Sequence, residues 1–594
     1  MDPAPRPGPA AEYARRLDDH RRRADRDTAA DRRLADVRLA LFVAAIGLSA
    51  ATYAGWLSAR WLIAPIAGFA ALVAIHARAR ARLDRSRDAI RYYERAIDRL
   101  EGRWAGAGDP GSGFLDEAHP YAADLDLFGS GSVFERLSRA RTPRGRACLA
   151  GWLLAPAVPR VVEERQGAVA ELRGLLDLRE DLGLIGADVG GEAAYDLAAW
   201  GSSPRVEFPG WARAATRLLA AANLVGVAWW FAQGDLRPLL ASAAASAALA
   251  WQLKPRVAAA LGGLDRRADE LRLVASLLGR LEGVSVTSTG LVALWSRFAG
   301  ERRAVSAIAG LARLARRLEA RRNQLVMPFA ALTLSGTRSA FAVERWRASH
   351  GPSIGGWLDA VGEVEALASL ATYAYENPAE VFPEVVAGGA TFEARGLAHP
   401  LLGASAVAND VALVGPLRAL VISGSNMSGK STLLRSVGVA TVLAQAGGVV
   451  RAGSLRMSPL AVGANLKIQD SLQAGRSRFY AEITRVRQVV DISRGPVPLL
   501  FLLDEVFNGT NSHDRRIGAE GVVKGLLKAG AIGLVTTHDL ALAELAENLA
   551  PSAANVHFAD HLEGGEMIFD YLMRPGVVGH SNALALMRAV GLEV

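Results

Sequence analysis

Val421 to Thr432 constrains this chain most, because VISGSNMSGKST carries a short β-branched run straight into a glycine-rich turn. Gly424, Gly429, Lys430 and Ser431 fall on the GxxxxGK[ST] phosphate-loop spacing, with Ser425, Asn426, Met427, Ser428 and Thr432 completing the loop. The two glycines let the backbone curl so that N–H groups point inward. A helix beginning near Lys430 adds its positive end to the same cradle. The spacing predicts that Lys430 reaches the β- and γ-phosphates of ATP and that the Ser431 hydroxyl takes one position on Mg²⁺. Lysine is scarce, with five among 68 basic residues, and one of the five fills this slot.

A chain of 594 residues exceeds one compact domain, so several are expected. The single Cys148 excludes an intrachain disulfide framework and a cysteine-based zinc site. Net charge of +8 suits nucleic acid or an anionic membrane surface, and an arginine-rich composition produces the same excess. A hydrophobic share of 51% directs attention to uncharged runs. The charged segment 1–38 reads as a solvated helix or arm, too long and too charged to open a cleavable signal. Leu39 to Ala59 and Trp61 to Ala77 each lack Asp, Glu, Lys and Arg, and Arg60 separates them. Their lengths predict a transmembrane hairpin at 39–77. Arginines at both outer ends place the termini and the ATPase region in the cytoplasm, on the cell membrane. A buried helix pair is the alternative. Residues 78–113 form a basic helix and linker, and 114–375 an all-helical core or lever. Within that core, 218–253 is a second uncharged pair, read as a membrane hairpin or as a buried alanine-rich pair.

From 376 to 594 short apolar strands alternate with helices, which predicts an α/β P-loop domain with a largely parallel sheet. Leu499 to Glu505, LLFLLDE, has the form of a Walker B strand, with Asp504 placed to hold Mg²⁺ and Glu505 to activate water. Leu534 to His538, LVTTH, ends in a histidine placed to sense the γ-phosphate. Between them, SLQAGRSRFYAE (Ser471 to Glu482) has a polar loop, Gly475, Arg476 and Ser477, opening a helix.

These motifs in this order, with DEVFNGTNSHD at Asp504 to Asp514, YLMRPGV at Tyr571 to Val577 and AHPLL at Ala398 to Leu402, resemble the MutS family of mismatch-recognition ATPases. Thr142 to Arg146 resembles the TxxGR turn of that family's helical core. The resemblance implies an ABC-type ATPase with ATP and Mg²⁺ as cofactors, and Asn426, Lys430, Ser431, Asp504, Glu505 and His538 serving one subunit's nucleotide. Ser477, with Gly475 and Arg476, would complete the partner's site in a homodimer. No small-molecule substrate other than ATP is implied. The sequence departs from the family where mismatch reading is concerned: Phe382 and Glu384 carry the Phe-x-Glu spacing beside the ATPase entrance, not in a wedge domain, and no aromatic precedes Asn409.

Two functions follow. One is a membrane-anchored ATPase that couples hydrolysis to binding mismatched, branched or damaged DNA. The basic run through Arg302, Arg303, Arg313, Arg316, Arg317, Arg321 and Arg322 would serve it, although such a stripe also suits a solvated helix face. The other is a membrane-tethered mechanochemical ATPase that acts on a protein or lipid partner without DNA.

Overall fold

The computed structural model describes residues 8–185, 197–262, 264, 268–299, 304–321, 327–467, 478–507, 512–538, 543–563 and 566–578. The chain divides into two compact units: Met1–Asp109 with Arg179–Ala187, and Pro110–Leu178 with Asp188–Val594.

The first unit is a helical hairpin of α1 (Pro9–Tyr53) and α2 (Ile63–Leu100). The charged segment and the first uncharged run form one continuous helix, because nothing between Arg38 and Leu39 breaks i→i−4 bonding. The turn between the helices holds Arg60. At the charged end, Glu180 accepts hydrogen bonds from Arg16 (2.9 Å) and Tyr93 and pairs with His20 at 3.0 Å. These contacts hold its carboxyl down at about 2 against the opposing effect of burial. At the apolar end Leu39, Phe42, Val43, Ile46 and Ile63 stand exposed.

The second unit begins with helices. Thr142 caps α3 (Pro143–Leu154) by accepting the Gly145 N–H at 3.0 Å. The buried Glu365 accepts from Arg141 N (2.8 Å) and from the Thr142 hydroxyl. The TxxGR turn is therefore a helix start locked by a distant carboxylate. Next come α4 (Ala212–Gln233) and α5 (Arg237–Leu261), an antiparallel pair in which a Cβ at Gly226 would stand 2.9 Å from Leu239 Cα. Such contact needs a small residue. Amphipathic α6 (Ala304–Ala320) buries Ile308, Leu311, Ala315 and Leu318 and exposes Arg313, Arg316 and Arg317. After α7 (Ser335–His350), α8 (Ile354–Glu376) is buried on almost every side and forms the axle of the helical region.

Two sheets follow. β1 (Glu384–Val385), β2 (Phe392–Leu397), β3 (Asn409–Leu413) and β5 (Ser454–Met457) form a four-stranded sheet in the order β1-β5-β2-β3. This sheet is mostly antiparallel, and alternation over strands of two to six residues is too brief to announce it. The main sheet takes β4 (Ala419–Ser423), β6 (Ala461–Asn465), β7 (Leu499–Leu503), β8 (Ile532–Thr537), β9 (Ala553–Glu563) and β10 (Glu566–Pro575) in the order β10-β9-β4-β8-β7-β6. All its pairings are parallel except β9–β10. Wholly buried strands such as ALVIS and LLFLL are continuous apolar runs because helices cover both faces. Among the described residues α9 (Lys430–Ala446), α10 (Arg478–Ile492), α11 (Ser512–Lys528) and the short helix Ala543–Asn548 flank it.

Among the described residues three helices are long and apolar enough to cross a membrane: α1, α2 and α4. Their apolar windows are only 0%, 19% and 22% buried. The second helix of the 218–253 pair, α5, does not reach that mark, because Arg237, Gln252, Lys254 and the serines among its alanines lower its mean hydropathy.

Candidate active site

The C-terminal ends of β4, β7 and β8 lie side by side, with Ser423 in register with Thr537 and Leu503 with Val535. Open α/β sheets bind ligands at this edge. The phosphate loop leaves β4 through Gly424, whose φ of +148° belongs to glycine and whose Cβ would press Phe558 O and Ser428 Oγ at 3.0 Å. Gly429 (φ +105°) then caps α9. Lys430 Nζ donates to Gly424 O (2.7 Å) and Ser425 O (2.8 Å). Burial lowers its pKa from the usual lysine value, with Glu505 and Asp504 opposing.

Asp504 follows directly on β7, and β8 ends in Thr536 and Thr537 with His538 directly after. The Thr536 hydroxyl donates to Asp504 Oδ1 and accepts the Glu505 N–H at 3.0 Å, so one side chain orients both carboxylate residues. Glu505 has φ +47° and Phe507 φ +61°, two non-glycine residues in the left-handed region. Such backbone costs about 1–3 kcal/mol per residue and persists where neighbours fix it. Here Thr536 fixes the first, and the buried Glu482 of α10 fixes the second by accepting the Phe507 N–H. Glu505 Oε1 stands 3.1 Å from His538 Nδ1 and 3.7 Å from Lys430 Nζ.

A cavity of about 520 Å³ opens here, lined by Ser425 to Met427, Gly429 to Leu433, Glu505, Asn409, His399 and Tyr571 among others. Its size lies within the ~300–1,000 Å³ of small-molecule sites. Ser425 Oγ and Ser428 Oγ are buried with no hydrogen-bond partner among the described residues, and the first turn of α9 carries N–H groups that a helix cannot satisfy internally. A triphosphate supplies acceptors for all of these, so the residues fit ATP. Ser431 and Asp504 offer hard oxygen donors, which suits Mg²⁺ held largely by phosphate and water. At the other end of the cavity, Asn409 accepts the Met573 N–H (2.6 Å) and donates to Tyr571 O (3.0 Å), tying the four-stranded sheet to β10. Burial lowers the pKa of His399, beside it, to about 4.

The structure thus brings together Gly424 to Thr432, Asp504, Glu505 and His538. Gly475, Arg476 and Ser477 lie outside the described residues. Sequence reasoning assigned no role to Thr536, Glu482 or Tyr571. All three stand inside quoted motifs, and that placement was their only signal.

Residues 420–593 match the family model of MutS domain V, an ABC-type ATPase domain. The chain is 34% identical over 238 residues to the DNA mismatch repair protein MutS 2 of Halobacterium salinarum, covering 39% of this chain and 27% of that one. It is 32% identical over 212 residues to the Endonuclease MutS2 of Thermus thermophilus, covering 34% and 27% respectively. With the DNA mismatch repair protein MutS of Symbiobacterium thermophilum it shares 33% identity over 245 residues, again covering 39% and 27%. The chain spans about a quarter of the length of these curated relatives.

Proposed function

We propose that the MutS-type ATPase domain at residues 420–593 drives a membrane-anchored machine in which two copies pair around ATP and thereby control binding of DNA. The observation that carries this reading is the placement of Glu505 at the cavity between Lys430 and His538. In this reading the Glu505 carboxylate takes a proton from the attacking water, His538 orients that carboxylate, and Lys430 offsets charge developing on the phosphoryl oxygens. Ser431 and Asp504 would hold Mg²⁺, which would supply further charge neutralisation when bound. Gly475 to Ser477 of the opposite copy complete the site, so hydrolysis follows pairing.

The DNA assignment is supported by the relatives named as mismatch repair proteins and by the exposed Arg313, Arg316 and Arg317 face of α6. Mismatched, branched or damaged DNA is the class of substrate. Membrane anchoring rests on the apolar, exposed faces of α1, α2 and α4, with the ATPase domain in the cytoplasm. The test is a filter-binding titration of the detergent-solubilised chain, with and without ATP, across salt concentration. Affinity should change with ATP, and log K should fall linearly with log salt as phosphates are contacted.

Absence of DNA binding at low salt with either nucleotide state would transfer the proposal to a second reading, an ATPase that moves a membrane protein or lipid. The confinement of the family match to the C-terminal domain, while the helical region exposes apolar helices, favours that reading. ATP-dependent copurification of a membrane component distinguishes it.

A further inference from the structure

A second cavity, of about 450 Å³, lies between α4, α5 and the segment leading into α7. Its walls are apolar, from Ala243, Ala247, Ala250, Val257, Leu332 and Leu334. Buried Asn223 braces the floor by donating to Ser246 Oγ (3.0 Å) and Leu332 O (2.8 Å), which ties α4 to α5 and to the entry of α7. This shape is held by hydrogen bonds and is not a loose gap between helices.

Two cations, Lys254 and Arg321, line the same cavity, and among the described residues its lining includes no Asp or Glu. The Arg321 guanidinium lies directly over Gly336, where a Cβ would stand 2.6 Å from Nη1. With glycine there the guanidinium rests against the α7 backbone without being displaced. Apolar walls joined to unneutralised positive charge select an amphiphile with an anionic head. The outer surface of the same helix pair adds Leu218, Val225, Trp229, Phe231 and Trp251 in exposed positions, and α4 is long and apolar enough to cross a bilayer. Indole rings near both ends of such a pair suit the headgroup level.

We infer that this cavity binds one acyl chain of an anionic phospholipid drawn from the bilayer, with the lipid phosphate between Lys254 and Arg321. The inference rests on the membrane reading of α4, against which α5 packs. A lysine at this point snorkels, its methylenes along the apolar wall and its ammonium at the phosphate. Lipid held here would couple the bilayer to α7, whose first turn lines the cavity through Gly336 and Thr337.

The test uses the full chain in nanodiscs containing phosphatidylglycerol and phosphatidylcholine, followed by native mass spectrometry of the released protein. Preferential retention of one phosphatidylglycerol is expected, and Lys254→Glu, alone and with Arg321→Glu, should cut that preference about tenfold, the factor for a loss of about 1.4 kcal/mol. Lys254→Arg should keep it. ATP hydrolysis by the variants reports that they are folded. Equal retention of both lipids by the unaltered chain, or an unchanged preference in the double variant, overturns the inference, as does displacement of the lipid by short duplex DNA. Carbonate washing separates the two levels. Release of the chain from membranes removes the membrane reading and this inference together, whereas retention in the pellet without lipid preference removes this inference alone.

Discussion

His538 Nδ1 lies 3.1 Å from Glu505 Oε1, joining the histidine directly after β8 to the second carboxylate after β7. The same oxygen faces Lys430 Nζ at 3.7 Å. One carboxylate oxygen therefore links three motifs that stand more than 100 residues apart from first to last.

Glu505→Gln keeps the shape of the side chain and removes its basicity. Steady-state ATP hydrolysis should fall at least about 100-fold with nucleotide affinity retained, as read by fluorescent-nucleotide titration beside a phosphate-release assay. His538→Ala should lower kcat by about the same order and change KM little. Normal turnover in both variants would remove Glu505 from the chemistry.

Lys430→Ala acts on binding. The ammonium is the buried cation of the cavity floor, so its loss should weaken ATP binding by about tenfold or more at neutral pH, measured by calorimetric titration. Unchanged affinity would place the phosphates elsewhere.

Thr536→Val removes the hydroxyl that holds Asp504 and Glu505 while keeping the branched shape that suits β8. Loss of this one group should reduce kcat by about tenfold and raise the Mg²⁺ concentration needed for half-maximal rate. A Mg²⁺ titration of initial rates distinguishes this from simple destabilisation, which leaves the metal requirement of the folded fraction unchanged.

Glu482→Ala leaves the Phe507 N–H buried without its acceptor, at a cost of about 1–3 kcal/mol, and frees the left-handed loop that carries Glu505. Thermal midpoint and kcat should both fall. Glu482→Gln retains an acceptor and should restore kcat in larger part than Ala. Equal kcat in the two variants would show that α10 does not position the catalytic loop.

Glu380 supplies a pH test away from the nucleotide. Burial pushes its carboxyl up to about 7, against the Tyr373 hydroxyl that donates to it at 3.0 Å and the nearby Arg451 and Arg136. The folded chain holds a proton that the unfolded chain releases near pH 4.3, so this contribution is complete below that pH and is lost as pH rises through 7. Glu380→Gln removes the titration. It should leave stability unchanged near pH 4 and raise it at pH 8 by up to about 3 kcal/mol, read from denaturant midpoints at both pH values.

Local sequence determined the parts whose physics is local. The glycine spacing of Gly424 and Gly429 dictates a phosphate loop, because only glycine accepts the φ that both positions adopt. Continuous apolar runs dictate buried strands at 419–423 and 499–503, and uncharged runs dictate the long exposed helices. The membrane-length helices were legible from composition, since hydropathy sums along the chain without reference to any neighbour.

Tertiary structure alone decided which groups meet. Thr536 reaches Glu505 across 31 residues, Glu482 reaches Phe507 across 25, and Glu365 locks the Thr142 turn across 223. Each contact depends on sheet register or helix packing, which places side chains by ångströms and leaves no periodic trace in the chain. The four-stranded sheet and the cavity between α4, α5 and α7 are of the same kind. Their strands are too short to signal themselves, and their walls are contributed by segments that only packing brings together.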